Sequence, residues 1–225
     1  DNNTYALTAS LIADPHNGKK YLMSYITYDY DATNRESGVT RVCTVSGTTI
    51  TFGTVYEFTA HATQISNTDD RVQIAFDPNN SNKFLVGWIE RIAGNSIANQ
   101  ISMKVGTISG SSISYGTAYI PDTTPRTKEN ELNIAFNPHG SGDFLFTKNS
   151  YYVDTTSMEY SWKADIIGGK ITGTSIDFGP PVSFNNDRAY TPLPIAFDPN
   201  YPGRFAIPYW APSDQWNKTG GGITQ

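Results

Sequence analysis

The chain has 225 residues and carries 16 Lys+Arg against 21 Asp+Glu, for a net charge of −5. Thr (26), Ile (20), Ser (19), Gly (19) and Asn (18) dominate, while Leu (7) and Glu (6) are scarce. This balance excludes helical bundles and doubly wound α/β folds; the scattered charges exclude a phosphate-backbone binder, and no apolar run reaches the roughly 18–20 residues that span a bilayer.

In chain order, Asp1-Asn2-Asn3-Thr4 has neither a basic n-region nor an apolar h-region, so no signal peptide is expected in this stretch. The first repeat, residues 5–58, contains Leu11-Ile12-Ala13-Asp14-Pro15 and, later, Ser46-Gly47-Thr48-Thr49-Ile50-Thr51-Phe52-Gly53. The only cysteine, Cys43, lies between them and reads as a buried strand residue. The second repeat, 70–120, returns to Ile74-Ala75-Phe76-Asp77-Pro78 and Ser109-Gly110-Ser111-Ser112-Ile113-Ser114-Tyr115-Gly116. Within it Val72, Ile74 and Phe76 alternate with polar or small residues, the period of a strand. Phe84/Val86/Trp88 and Ile101/Met103/Val105 predict two more strands, and Ile113-Ser-Tyr115 begins a fourth. The third repeat, 130–184, carries Ile134-Ala135-Phe136-Asn137-Pro138 and Thr172-Gly173-Thr174-Ser175-Ile176-Asp177-Phe178-Gly179. A fourth, partial repeat, 193–225, carries Ile195-Ala196-Phe197-Asp198-Pro199 and has no second motif.

Two motifs keep one period. The prolines fall at 15, 78, 138 and 199, and an aromatic follows each by six residues: Tyr21, Phe84, Phe144 and Phe205. Four antiparallel strands in a tandem unit of this length predict an all-β chain. The specific expectation is one incomplete β-propeller domain over 1–225, built of four-stranded antiparallel blades, with about three and a half blades present. In that arrangement Phe205-Ala206-Ile207 would lack a neighbouring strand and could pair with another chain.

The recurrent Asp14, Asp77, Asn137 and Asp198 read as caps of their own turns. The residues ten after each proline, Tyr25, Trp88, Lys148 and Tyr209, read as packing between units, with a sugar-stacking platform as the alternative. His16, His61 and His139 read as surface turn residues. Asp29, Asp31, Asn34 and Glu36 have oxygen ligands at alternating spacing; they lack the glycine and distant Glu of an EF-hand loop, so a solvated loop is expected there. No cofactor and no catalytic residue is expected: a Gly-x-Ser-x-Gly elbow, a phosphate loop and a His-Glu-x-x-His are all missing from the sequence.

Long, unlike connections alternate with short, uniform turns, and loops of that kind are where recognition residues sit. Tyr28, Arg126, Arg188, Tyr190, Trp210 and Trp216 lie in or beside them and are the candidate ligand-binding residues, since Tyr and Trp stack on sugars and Arg holds hydroxyls.

The pairing of Ile-Ala-Phe-Asp-Pro-Asn with residues 105–118, Val-Gly-Thr-Ile-Ser-Gly-Ser-Ser-Ile-Ser-Tyr-Gly-Thr-Ala, resembles the β-propeller repeats of phage tail-fibre and bacterial surface proteins. The resemblance covers nearly the whole chain and implies a propeller outside the cell or on a virion, used for attachment. The matching residues are turns and strands, so no site residue is carried over. The hairpin around Gly110 also looks like the Asp-box position of sialidase-type propellers, but without the Asp-x-Gly-x-Thr-Trp core sialidase chemistry is not implied.

The leading expectation is therefore non-catalytic recognition of a cell-surface glycan or receptor. A structural subunit of a fibre, appendage or virion assembly, completed by a neighbouring chain, is the first alternative. A glycoside hydrolase is the second, and it would need two converging carboxylates.

Overall fold

A computed structural model describes residues 4–29, 35–59, 72–92, 99–122, 128–153, 160–185, 193–209 and 223–224. Four antiparallel sheets follow one another along the chain. Sheet 1 contains β1 (Thr4–Asp14), β2 (Asn17–Asp29), β3 (Arg35–Ser46) and β4 (Thr49–Thr59), in that spatial order. Sheet 2 repeats the meander with β5 (Val72–Phe76), β6 (Lys83–Arg91), β7 (Asn99–Ser109) and β8 (Ser112–Tyr115). Sheet 3 uses β9 (Lys128–Phe136), β10 (Asp143–Val153), β11 (Tyr160–Thr172) and β12 (Ser175–Phe178), and β13 (Val182–Asn185) also pairs with β11. Sheet 4 is small: β14 (Ala196–Phe197), β15 (Phe205–Ile207) and β16 (Ile223–Thr224).

The alternating residues of the middle repeat explain its burial on both sides. Phe84, Val86 and Trp88 point one way from β6 and join Leu22, Ile26, Val42 and Phe58 of sheet 1 in one core. Leu85 and Ile89 point the other way and join Leu132, Phe136, Phe144 and Phe146 of sheet 3 in a second core. A strand buried on both faces needs apolar residues at consecutive positions, and Phe84-Leu85-Val86 supplies them. Sheets 3 and 4 share a smaller core around Ala164, Leu193 and Ile207.

The turns form as their residues dictate. Asp14 Oδ1 accepts the His16 backbone N–H at 2.9 Å, and Asp77 does the same for Asn79 at 2.9 Å. Asn137 serves His139 at 3.0 Å and Asp198 serves Asn200 at 2.9 Å, so the side chain caps its own turn in every repeat. Gly47, Gly110 and Gly173 take φ of 58°, 63° and 64° in the tight hairpin turns, a conformation that favours glycine. At Gly116 the backbone passes so close to the next hairpin that an added Cβ would lie 2.8 Å from the Thr174 carbonyl oxygen.

Three expectations are corrected. Among the described residues the sheets remain separate, and none closes on another into a propeller or barrel. Closure would require sheet 1 to bury its outer face, yet Leu11 and Phe52 there are 65% and 52% exposed. The expected resemblance to propeller repeats is therefore corrected as well: the chain is all-β and built of four-stranded antiparallel meanders, without the closed fold that the resemblance implies. The adhesion reading that depended on a propeller's loop face loses its scaffold. The expected open edge at Phe205-Ala206-Ile207 is also filled from within the chain, because β16 pairs with β15 through Ala206↔Thr224 and Ile207↔Ile223.

Candidate functional site

The most concentrated polar chemistry among the described residues lies between sheets 2 and 3. Lys148, ten residues after Pro138, sits mid-strand in β10 with Leu132 and Asp165 as its cross-strand neighbours. Its position points into the apolar core, where Trp88 sits in the preceding repeat, and its side chain is 1% exposed. A buried ammonium must find compensating charge. Lys148 Nζ donates to Asp122 Oδ2 at 2.8 Å and to Glu129 Oε1 at 3.0 Å. Ser150 Oγ donates to the other oxygen of Glu129 at 2.6 Å. Asn99, at the start of β7, clamps the Glu129 backbone from sheet 2: its Nδ2 donates to the Glu129 carbonyl at 3.1 Å, and its Oδ1 accepts the Glu129 N–H. The whole group bridges two sheets.

The corresponding place in repeat 2 is filled differently. Trp88 Nε1 donates to Glu90 Oε2 at 2.8 Å, and Oε1 of Glu90 accepts from Ser102 Oγ at 2.5 Å and Gln100 Nε2 at 3.1 Å. The Trp88 ring, 5.1 Å from Phe58, packs between sheets 1 and 2. Tyr209 packs 5.4 Å from Phe184 in the joint between sheets 3 and 4. These contacts favour the packing role over a sugar platform for Trp88 and Tyr209, and Lys148 serves as an ionic version of the same role.

Other polar contacts repeat the theme. Lys104 Nζ of sheet 2 donates to the Phe58 carbonyl of sheet 1 at 2.6 Å, and Thr147 Oγ1 of sheet 3 donates to the Leu193 carbonyl at 2.7 Å. The turns are linked as well. Asn79 Nδ2 donates to the Pro138 and Gly140 carbonyls at 3.2 and 3.0 Å, and His139 Nε2 lies 3.3 Å from the Asp198 carbonyl. His16 and His139 are exposed turn residues; His61 lies outside the described residues.

Two cavities lie elsewhere and are apolar. One, of about 360 Å³, is an open hollow lined by residues of the proline motifs, with Ile12, Phe76, Phe136 and Phe197 among them. The other, of about 260 Å³, lies between sheets 3 and 4 beside Leu145, Phe184 and Phe205. Neither is lined by Lys148, Glu129 or Asp122. Cys43 is buried in β3, where burial pushes its thiol pKa up and nearby Arg41 partly offsets the shift.

Of the sequence candidates, Tyr28 is the penultimate residue of β2, with its backbone opposite Tyr5 and Glu36. Its side chain, together with Arg126, Arg188, Tyr190, Trp210 and Trp216, lies outside the described residues, as do Asp31 and Asn34. The Lys148 cluster was missed because its acids come from 26 and 19 residues away in sequence. One signal could have found it: a lysine in a slot that is aromatic in the other repeats, next to Phe144 and Phe146, must be buried and therefore paired.

No protein-family model matches the chain, and no curated protein matches it either. Among the described residues, no helix is long and apolar enough to cross a membrane.

Proposed function

We propose that the chain is a structural subunit of a repeating assembly, such as a fibre, an appendage or a virion part, and that its role is non-catalytic. One observation carries the reading: among the described residues, the polar side chains best placed for chemistry are spent on joining one repeat to the next. Lys148, Asp122, Glu129 and Asn99 tie sheets 2 and 3; Lys104 ties sheets 1 and 2; Thr147 ties sheet 3 to the entry of sheet 4. The carboxylate nearest the Lys148 ammonium is held by it and therefore unsuited to free acid–base work. A row of units joined in this way is a building element whose product is its own geometry. Display outside the cell or on a virion surface belongs to the same proposal.

Sedimentation velocity of the purified chain over a wide concentration range, with electron microscopy of the concentrated sample, tests the reading. Mass that grows with concentration, accompanied by regular particles, is the expected result. A single monomeric species throughout would overturn it.

A further inference from the structure

The repeat allows each residue of sheet 1 to be matched with a counterpart that does have a preceding sheet. Ile113 in repeat 2 is 6% exposed, and Ile176 in repeat 3 is 4% exposed; each packs toward the sheet before it. Their counterpart in repeat 1, Ile50, is 57% exposed. Ile74 is 4% exposed, whereas its counterpart Leu11 is 65% exposed. Tyr115 and Phe178 pack against the cores, and their counterpart Phe52 is exposed, with the Arg41 guanidinium over its ring, 5.0 Å from the centroid. Arg41 itself occupies the register position of Lys104, the residue that reaches back to the previous sheet's carbonyl. Arg41 donates to the Gly53 carbonyl of its own sheet at 3.2 and 2.9 Å, and Leu11, Ile50 and Phe52 form an apolar face that nothing among the described residues covers.

The other end of the row shows the converse. Ala75 of repeat 2 is buried against sheet 3, while its counterpart in sheet 4, Ala196, is exposed. Asn79 and His139, exposed themselves, each reach forward to the next turn, and Asn200 is their counterpart in the fourth turn. Among the described residues, the receiving face of sheet 1 and Ala196 on the forward side of sheet 4 are both left uncovered.

We infer that the exposed face of sheet 1 docks on the trailing face of sheet 4 of a second copy of this chain, head to tail. The occupant follows from continuity: the three joints inside the chain use this same pair of faces, so the fitting surface is one already present at the far end of another copy. Such an interface is heterologous, and it propagates or closes a ring according to the rotation at each joint. The inference rests on the structural reading above and names the surface through which that assembly would grow.

Two variants of the full chain test it, each replacing an exposed side chain: Phe52→Glu blocks the head, and Ala196→Glu blocks the tail. Unchanged circular dichroism and an unchanged urea midpoint verify that each remains folded; Ile50→Lys serves as a second head variant. In sedimentation velocity each variant alone should associate at least about tenfold more weakly than the wild type, because a charge is buried in the joint. An equimolar mixture of Phe52→Glu and Ala196→Glu should form dimers and nothing larger, since one intact tail meets one intact head. If the wild type associates and both variants do so equally well, the assigned faces are wrong and the structural role stands. If the mixture stays monomeric while the wild type associates, the head-to-tail pairing is overturned. A monomeric wild type would bring down the structural role itself.

Discussion

Lys148→Met should destabilise the chain by about 3–5 kcal/mol, read from urea unfolding followed by fluorescence, because it strands buried carboxylates that the ammonium now compensates. Methionine fills much of the volume of the lysine stem, so lost packing contributes little. The two distances of 2.8 and 3.0 Å to Asp122 and Glu129, with side chains at most 10% exposed, place the interaction away from water's screening. Adding Glu129→Gln to Lys148→Met should recover part of the loss, since a neutral amide can still receive the Ser150 hydroxyl found at 2.6 Å in the native chain. A Lys148→Met chain within about 0.5 kcal/mol of wild type would mean that this cation faces water, as a surface substitution does.

Trp88→Ala should cost about 3–5 kcal/mol, the range for deleting a large buried aromatic. The indole is 2% exposed and packs against Phe58, so its removal opens a void between sheets 1 and 2. It also takes the Nε1–H donor from Glu90 Oε2, at 2.8 Å in the native chain. Trp88→Phe separates the two effects in large part, because it keeps a ring against Phe58 and loses the hydrogen bond with a smaller part of the buried volume, for about 1–2 kcal/mol. Were Trp88 a stacking platform open to sugars, truncation to alanine would leave the urea midpoint nearly unchanged.

What the sequence makes legible here is local. Val72, Ile74 and Phe76 alternate because a strand has period 2, and β5 forms there. Asp-Pro and Asn-Pro mark turns because the carboxylate or amide oxygen can reach an N–H two residues on, and all four do so. Strand ends were less legible. Asn149 to Val153 have none of the apolar alternation of Phe144 and Phe146, yet they continue β10, where the Tyr151 and Trp162 rings meet at 4.7 Å. Polar residues such as Asn149 and Ser150 break the apolar alternation while the backbone ladder continues beneath them.

Closure is illegible for a different reason. A repeat states what each unit needs as a neighbour and says nothing of whether the first and last units meet. Leu11, Ile50 and Phe52 have the same character as Ile74, Ile113 and Tyr115, and only the three-dimensional arrangement shows that the former set is exposed. The Lys148 cluster was hidden similarly, because Asp122 belongs to the strand connection of one sheet and Glu129 to the first strand of the next.

The central claim is that equivalent faces serve as joints, filled inside the chain and open at its head. Hydroxyl-radical footprinting of the wild-type chain at low and high concentration, read by mass spectrometry at Ile50, Phe52, Ile113 and Ile176, tests this most directly. Side-chain oxidation tracks exposure, so Ile113 and Ile176, at 6% and 4%, should stay unreactive throughout. Ile50 and Phe52, at 57% and 52% exposure, should react strongly in dilute solution and become protected as the chains associate. Equal reactivity of Ile50 and Phe52 at both concentrations, in a sample shown to be assembled, would contradict it.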